Sequence, residues 1–325
     1  MSLQQGRIGL VLGAGGVAGI AFHAGVLAAL AEALEWDARS AALVVGTSAG
    51  SVTGSGLRAG IPPRDLLARM CGEPLSDEGA RVMARADAAT GRGAAGDGAG
   101  RLPSGMPADA RVLLAAGRRP WRVRPGAVVA GLLPAGRVPT AAIESGVDAL
   151  FGDQWPDAPT WICALRLDTG HLTVFGRRGT APARMGQAVA ASCAIPGYFA
   201  PVTIDGVRYV DGGAHSLTNL AKVRREPLDL VVVSAPMARA GARRPGLGAL
   251  GREYSRLQLG VEARAVRGHG VDVIAFAPTA TDQAVMGGNP MDRSRQGPIA
   301  RQAYESTLRR LERGDVRARL AALGA

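Results

Sequence analysis

Lysine is almost missing from this chain: Lys222 is the single one among 38 basic residues, set against 27 acidic residues for a net charge of +11. Arginine in place of lysine, with abundant Ala and Gly, marks a coding bias, so the charge alone says little about partners beyond permitting attraction to anionic lipid surfaces. Aromatic residues make up only 4%. With no stacking platform, zinc-finger spacing or basic helix, nucleic acid is not an expected partner. Cys71, Cys163 and Cys193 are odd in number and far apart; they exclude a disulfide framework and fit buried thiols in a reducing compartment. The histidines, His23, His171, His215 and His269, are too scattered for a metal-ligand pattern, and neither a metal nor a cofactor is expected. No signal peptide is expected either, because residues 1–7 are polar and the first apolar run enters glycines directly. The apolar stretch Val17 to Leu34 carries His23 and Glu32, which reads as a buried core helix rather than a membrane span. A cytoplasmic location, at most peripheral at a membrane, follows as the expectation.

What is present is the composition of a globular protein, 47% hydrophobic and 20% charged. The chain opens on strand, glycine loop, helix, strand, serine turn and helix: Arg7 to Gly13, Gly16 to Leu34, Ala41 to Gly46 and Ser48 to Ala59. Such alternation implies βαβ crossovers and a mainly parallel sheet in an α/β fold. From about 76 to 136 the sequence turns to Ala, Gly, Arg and Pro, with a low-complexity run at 91–100, and reads as a flexible insertion or lid. Its basic, Trp-bearing part with the apolar residues after it, 118–133, is a candidate for peripheral membrane contact, although a loop leading into a partly buried helix is the modestly favoured reading. Strands are expected again at Thr160 to Asp168, His171 to Phe175, Val207 to Val210, Leu228 to Ser234 and Val271 to Ala277. Helices are expected near Ala183 to Ser192, Gly251 to Arg267 and Pro298 to Arg313.

Val44-Val45-Gly46-Thr47-Ser48-Ala49-Gly50 carries the chemistry. A β-branched run ends in Gly-x-Ser-x-Gly and enters a helix, the form in which a serine is held out on a sharp strand-to-helix turn. Upstream, Gly13-Ala14-Gly15-Gly16-Val17-Ala18-Gly19 joins strand to helix and aims helix N-terminal amides at an anion. That anion is either a dinucleotide pyrophosphate or the oxyanion of an acyl-transfer intermediate. A dinucleotide site wants an acid at the end of the second strand; here that strand ends in Gly46-Thr47-Ser48, which favours the oxyanion. For activation of Ser48, His215 and His269 have no distinguishing context, and His23 reads as structural. Asp211 ends a strand and is released by Gly212-Gly213, which makes it the better base. The bland alternative is a turn aspartate.

These segments together resemble the patatin-like phospholipase family. The resemblance lies in Leu12 to Gly19 with Ala24 to Leu27, Val45 to Ser51, Ala191 to Phe199 with Pro201-Val202, and Tyr209 to Gly213. It implies a three-layer α/β/α sandwich, a single acyl-hydrolase domain over 6–315, and hydrolysis of lipid acyl esters through an acyl-enzyme and a Ser-Asp dyad. Phospholipid or lysophospholipid would be the substrate. Carried over, Ser48 is the nucleophile, Asp211 its base, and the Gly15 and Gly16 amides the oxyanion hole, with Gly13, Gly19, Gly46, Gly50, Gly212 and Gly213 supporting the motifs. The chain departs from the family's Gly-Gly-Gly-x-Arg/Lys-Gly loop at Ala14 and Ala18. Ala18 stands where a basic residue is usual, and it motivates the alternative of a catalytically attenuated lipid- or acyl-binding protein on the same fold.

Overall fold

The computed structural model describes residues 6–90, 108–118, 123, 125–239, 249–314, 316 and 319. Its elements run β1 (Ile8–Leu12), α1 (Gly16–Leu34), β2 (Leu43–Gly46), α2 (Ala49–Arg58), α3 (Pro63–Cys71), α4 (Asp77–Thr90), α5 (Arg111–Arg118), α6 (Pro125–Leu132) and α7 (Ala141–Phe151). Then follow β3 (Thr160–Arg166), β4 (Leu172–Phe175), α8 (Met185–Ser192), β5 (Val202–Ile204), β6 (Val207–Asp211), β7 (Leu230–Ser234), α9 (Ala249–Arg267), β8 (Asp272–Phe276), α10 (Ala280–Met286) and α11 (Gln296–Leu311). The chain forms two compact units, residues 1–80 with 218–325, and residues 81–217.

In the first unit β2, β1, β7 and β8 lie side by side, all parallel. Every residue of β1, β2 and β7 is buried, as expected of parallel strands covered on both faces, which read as continuous apolar runs. Helix α1 is apolar around most of its circumference and buried along most of its length, packing on α11, α3 and α2. Among the described residues it alone is long and apolar enough to cross a membrane; here it is a core helix. Its crossing with α11 is set by Gly25, where a Cβ would strike the carbonyl of Ala300 and sit 2.7 Å from the Tyr304 amide. The Tyr304 hydroxyl donates to Glu32 across the same pair at 2.5 Å.

In the second unit β5, β6, β3 and β4 form an antiparallel meander of pairs. Val112, Val123, Ala127, Ala130, Leu165, Leu167 and Val210 make its core under α5 and α6. Asp109 is buried there beside Arg111 and Arg208. Hydrogen bonds from Arg111 foremost, then Arg208, hold its carboxyl down to about 2.

The α/β sandwich class expected from sequence therefore holds; the named strands of the first unit pair in parallel, while those of the second pair antiparallel beside an isolated parallel bridge, Val138–Phe199. Helices α3, α4, α5, α7 and α10 and the short strand β5 are additions to the sequence reading. Three of these helices lie within or beside the stretch read as irregular. Its low-complexity run at 91–100 lies outside the described residues.

Replacing Gly25 by Val places two γ-carbons against backbone that cannot swing aside. It should lower the unfolding free energy by about 3 kcal/mol, measured as a drop in urea midpoint at unchanged slope.

Candidate active site

The register of the first unit sets Leu12 opposite Gly46 and Ser234. The residues that follow, the glycine loop after β1 and the serine turn after β2, therefore emerge together at the carboxyl edge of the parallel strands, where ligands of such sheets bind. The Thr47 amide closes the turn by donating to Leu12 O at 3.0 Å.

Ser48 itself has φ 53° and ψ −120°. A non-glycine residue rarely adopts this backbone, which costs about 1–3 kcal/mol and persists only where its surroundings enforce it. They do so here: Ser48 O accepts from the Ser51 amide at 2.8 Å, the Val52 amide at 3.3 Å and the Ser51 hydroxyl at 2.7 Å. The Gly50 amide bonds to both Thr47 O and Gly13 O, so Gly46 and Gly50 flank a turn stitched directly to the glycine loop.

In that loop Gly16 has φ +60°, and a Cβ there would lie 2.9 Å from Pro290 O. Ala14, by contrast, is not among the positive-φ residues, which explains why alanine is accepted in its place. Gly15 precedes the first turn of α1, and the Gly19 amide donates to its carbonyl at 2.8 Å. The Ala18 amide is taken by Pro290 O at 2.9 Å. Among the described residues no acceptor is bonded to the Gly15 or Gly16 N–H, as expected for the leading amides of a helix. Ala18 is buried, so a longer basic side chain could not occupy its place without displacing neighbours.

His23 lies directly beneath. Its Nε2 is 2.8 Å from Gly13 O and its Nδ1 2.7 Å from Ser234 Oγ. A carbonyl only accepts, so Nε2 carries the hydrogen and Ser234 donates to Nδ1. The Gly13 amide in turn donates to Ser234 O at 2.9 Å, so the first residue of the loop is held through both its N–H and its C=O. Burial pushes the His23 pKa down to about 4, and the ring is neutral and structural, as the sequence suggested.

A second support has no sequence signal. Asn219, at φ 53°, donates from Nδ2 to Thr47 Oγ1 at 3.1 Å. Glu262 of α9 brackets it, accepting from the Thr218 hydroxyl at 2.8 Å and the Leu220 amide at 2.9 Å. All four side chains are buried. Asn219 alone bears a clue, since Asn tolerates the left-handed region better than most residues. Beyond Asn219 the chain makes a 3-10 turn at Leu220–Val223.

Asp211 is placed within the second unit. It ends β6, buried, opposite Ala164. Its amide donates to Ala194 O at 2.9 Å, and its Oδ1 accepts from the Gly213 amide at 2.7 Å. The Ser192 hydroxyl donates to Cys163 O at 2.7 Å, and Gly212 packs close on that same carbonyl. The Ala191 to Phe199 block thus braces the end of β6.

The other histidines separate by position. His269 is exposed and caps the end of α9, bonding Ala265 O at 2.9 Å. It lies three residues before Asp272, which aligns through Leu230 with Ile8. This is the amino edge of the strands, about 13 Å of rise from the serine turn. His171 is exposed in the β3–β4 hairpin, and His215 follows the 3-10 turn Gly212–Ala214. Among the described residues no group of three or more His, Cys, Asp or Glu could hold a metal ion.

Between pH 6.5 and about 4 the unfolded chain binds a proton at His23 that the folded chain refuses. Stability therefore rises with pH across this window and falls on acidification, by about 3 kcal/mol in full. Urea unfolding at a series of pH values should show this slope in wild type and not in His23→Gln. Equal slopes would place the titrating group elsewhere.

The family model for patatin-like phospholipase matches residues 10–222. Among solved structures, VipD from Legionella pneumophila is 16% identical, with a TM-score of 0.43 over 95% of this chain and 67% of that one. The type III effector protein ExoU is also 16% identical, with a TM-score of 0.37 over 97% of this chain and 54% of that one. No match was found among curated proteins. The matched segment runs from the strand before the glycine loop to beyond Asp211, and the chain belongs to the patatin-like phospholipase family.

Proposed function

We propose that the protein is a serine acyl hydrolase that cleaves lipid acyl esters through Ser48 and Asp211. Family membership supports lipid acyl hydrolysis in general. The observation that carries the finer reading is the enforced backbone of Ser48, φ 53° and ψ −120°, at the strand edge it shares with the Gly15–Gly16 amides. A serine so held has its side chain set off the helix that follows, at the turn itself, and Ser48 sits there largely shielded from solvent.

In this reading Ser48 Oγ attacks the ester carbonyl while Asp211 accepts its proton. The carbonyl oxygen gathers negative charge, and the Gly15 and Gly16 N–H groups donate to it. One donor of this kind is worth about 10²–10³ in rate. The tetrahedral intermediate collapses, the C–O bond to the alcohol breaks, and Asp211 returns the proton to the leaving oxygen. Water, deprotonated by the same carboxylate, then attacks the acyl-enzyme and frees the fatty acid and Ser48. No metal or cofactor takes part. Asp211 already accepts one backbone hydrogen bond, from Gly213, which fixes the carboxylate's orientation. A slowed, lipid-binding variant of the same chemistry is the second reading, favoured by the buried Ala18 alone.

Ser48→Ala and Asp211→Asn should each lower hydrolysis of a p-nitrophenyl acyl ester by at least about 10³-fold, and Ser48→Ala should abolish labelling by a fluorophosphonate. His269→Gln and His215→Gln should retain wild-type rates. Loss of activity in either histidine variant would replace the dyad by a histidine-dependent triad. Labelling of wild type without turnover would select the second reading.

A further inference from the structure

Helices α5 and α6 turn a row of large apolar side chains outward. On α5, Val112 faces the core while Leu113 and Leu114 point away from it. On α6, Ala127 and Ala130 face the core while Val129, Leu132 and the following Leu133 point away. Leu114 and Val129 are 62% and 55% exposed. The pair is locked by backbone bonds from the Ala108 amide to Leu133 O and from the Asp109 amide to Gly131 O, both 2.9 Å. Tyr198, also exposed, extends the patch: the site of a Cβ on its neighbour Gly197 is 3.9 Å from Leu133 Cδ1. Scattered exposed apolar residues need no explanation, but four leucines and a valine on and just after one helix pair, with an adjacent tyrosine, form a patch that does.

Charge selects the occupant. From Ala110 to Ile143 the sequence holds no Asp or Glu, and of the described arginines there Arg111 is paired with the buried Asp109. Arg118, the last residue of α5, and Arg137, four residues beyond Leu133, are exposed. A second copy of the chain would bring Arg118 and Arg137 towards their counterparts across a two-fold axis with no carboxylate of this stretch between them, which like charge opposes. Anionic headgroups would meet the arginines while the leucines enter the acyl boundary.

We propose that the outward face of the α5–α6 pair docks the protein on anionic bilayers. This extends the lipid-ester reading, on which it rests for its purpose, and its evidence is binding rather than turnover. The test uses the full chain carrying Ser48→Ala, so that the lipids stay intact, sedimented with vesicles of phosphatidylcholine alone or mixed with phosphatidylserine. Partitioning should be at least about tenfold stronger on the phosphatidylserine vesicles and weaken with salt. Adding Leu114→Glu and Val129→Glu should reduce it at least about tenfold. The same two substitutions without Ser48→Ala should leave hydrolysis of a short soluble ester unchanged, which shows that the variant folds. Failure of the parent to bind, equal binding by the variant, or a parent dimer that the variant converts to monomer would each overturn the docking surface. A wild type that binds vesicles but hydrolyses no ester would instead sink the catalytic reading and leave the docking surface standing.

Discussion

The pairing of Leu12 with Gly46 is the constraint from which the candidate site follows. Because β1 and β2 are parallel and end together, the glycine loop and the serine turn leave the sheet as neighbours. A slip of one residue would reverse the faces of β2 and carry Ser48 away from the loop. The backbone then converts proximity into attachment: Thr47 donates to Leu12, and Gly50 donates to Gly13. The strain at Ser48 is tolerable because its carbonyl collects three hydrogen bonds, each worth about 1 kcal/mol net.

Around this junction lie two buried polar supports of different character. The ring of Gly13, His23 and Ser234 holds the start of the glycine loop. It uses a histidine whose burial keeps it neutral, so that it serves as one donor and one acceptor. The support through Glu262, Thr218, Leu220 and Asn219 reaches Thr47, one residue before the proposed nucleophile. Buried polar groups are costly when unsatisfied and rigid when bonded, and rigidity is what a strained turn requires.

Ala18 acquires a physical meaning from its surroundings. Its amide is held by Pro290 O and its side chain is buried, so the loop is braced by main chain from the α10–α11 connection. The family's usual basic side chain is absent, and the amides proposed to receive the oxyanion are ordered by that backbone contact and by the positive φ of Gly16.

Much of this was legible in the amino-acid order. Short apolar runs, glycines at turns and the Gly-x-Ser-x-Gly spacing are local features with local causes, and they set out β1, α1, β2, α2, the strand ending at Asp211, and the candidates Ser48, Gly15, Gly16 and Asp211. Helices α3 to α5 and α7 were less legible, since alanine- and arginine-rich segments carry a weak apolar period. The partners in the supports were not legible, although His23 read as structural and Asn219 as tolerant of the left-handed region. Asn219 lies 172 residues from Thr47, and Ser234 lies 211 residues from His23. Pro290 meets Ala18 from near the other end of the chain. Chain order alone decided which residues could bend, donate or attack, because those are properties of a residue and its near neighbours. Which buried polar groups hold them in place was decided only by tertiary packing, because a hydrogen bond between distant segments has no trace in the spacing of either.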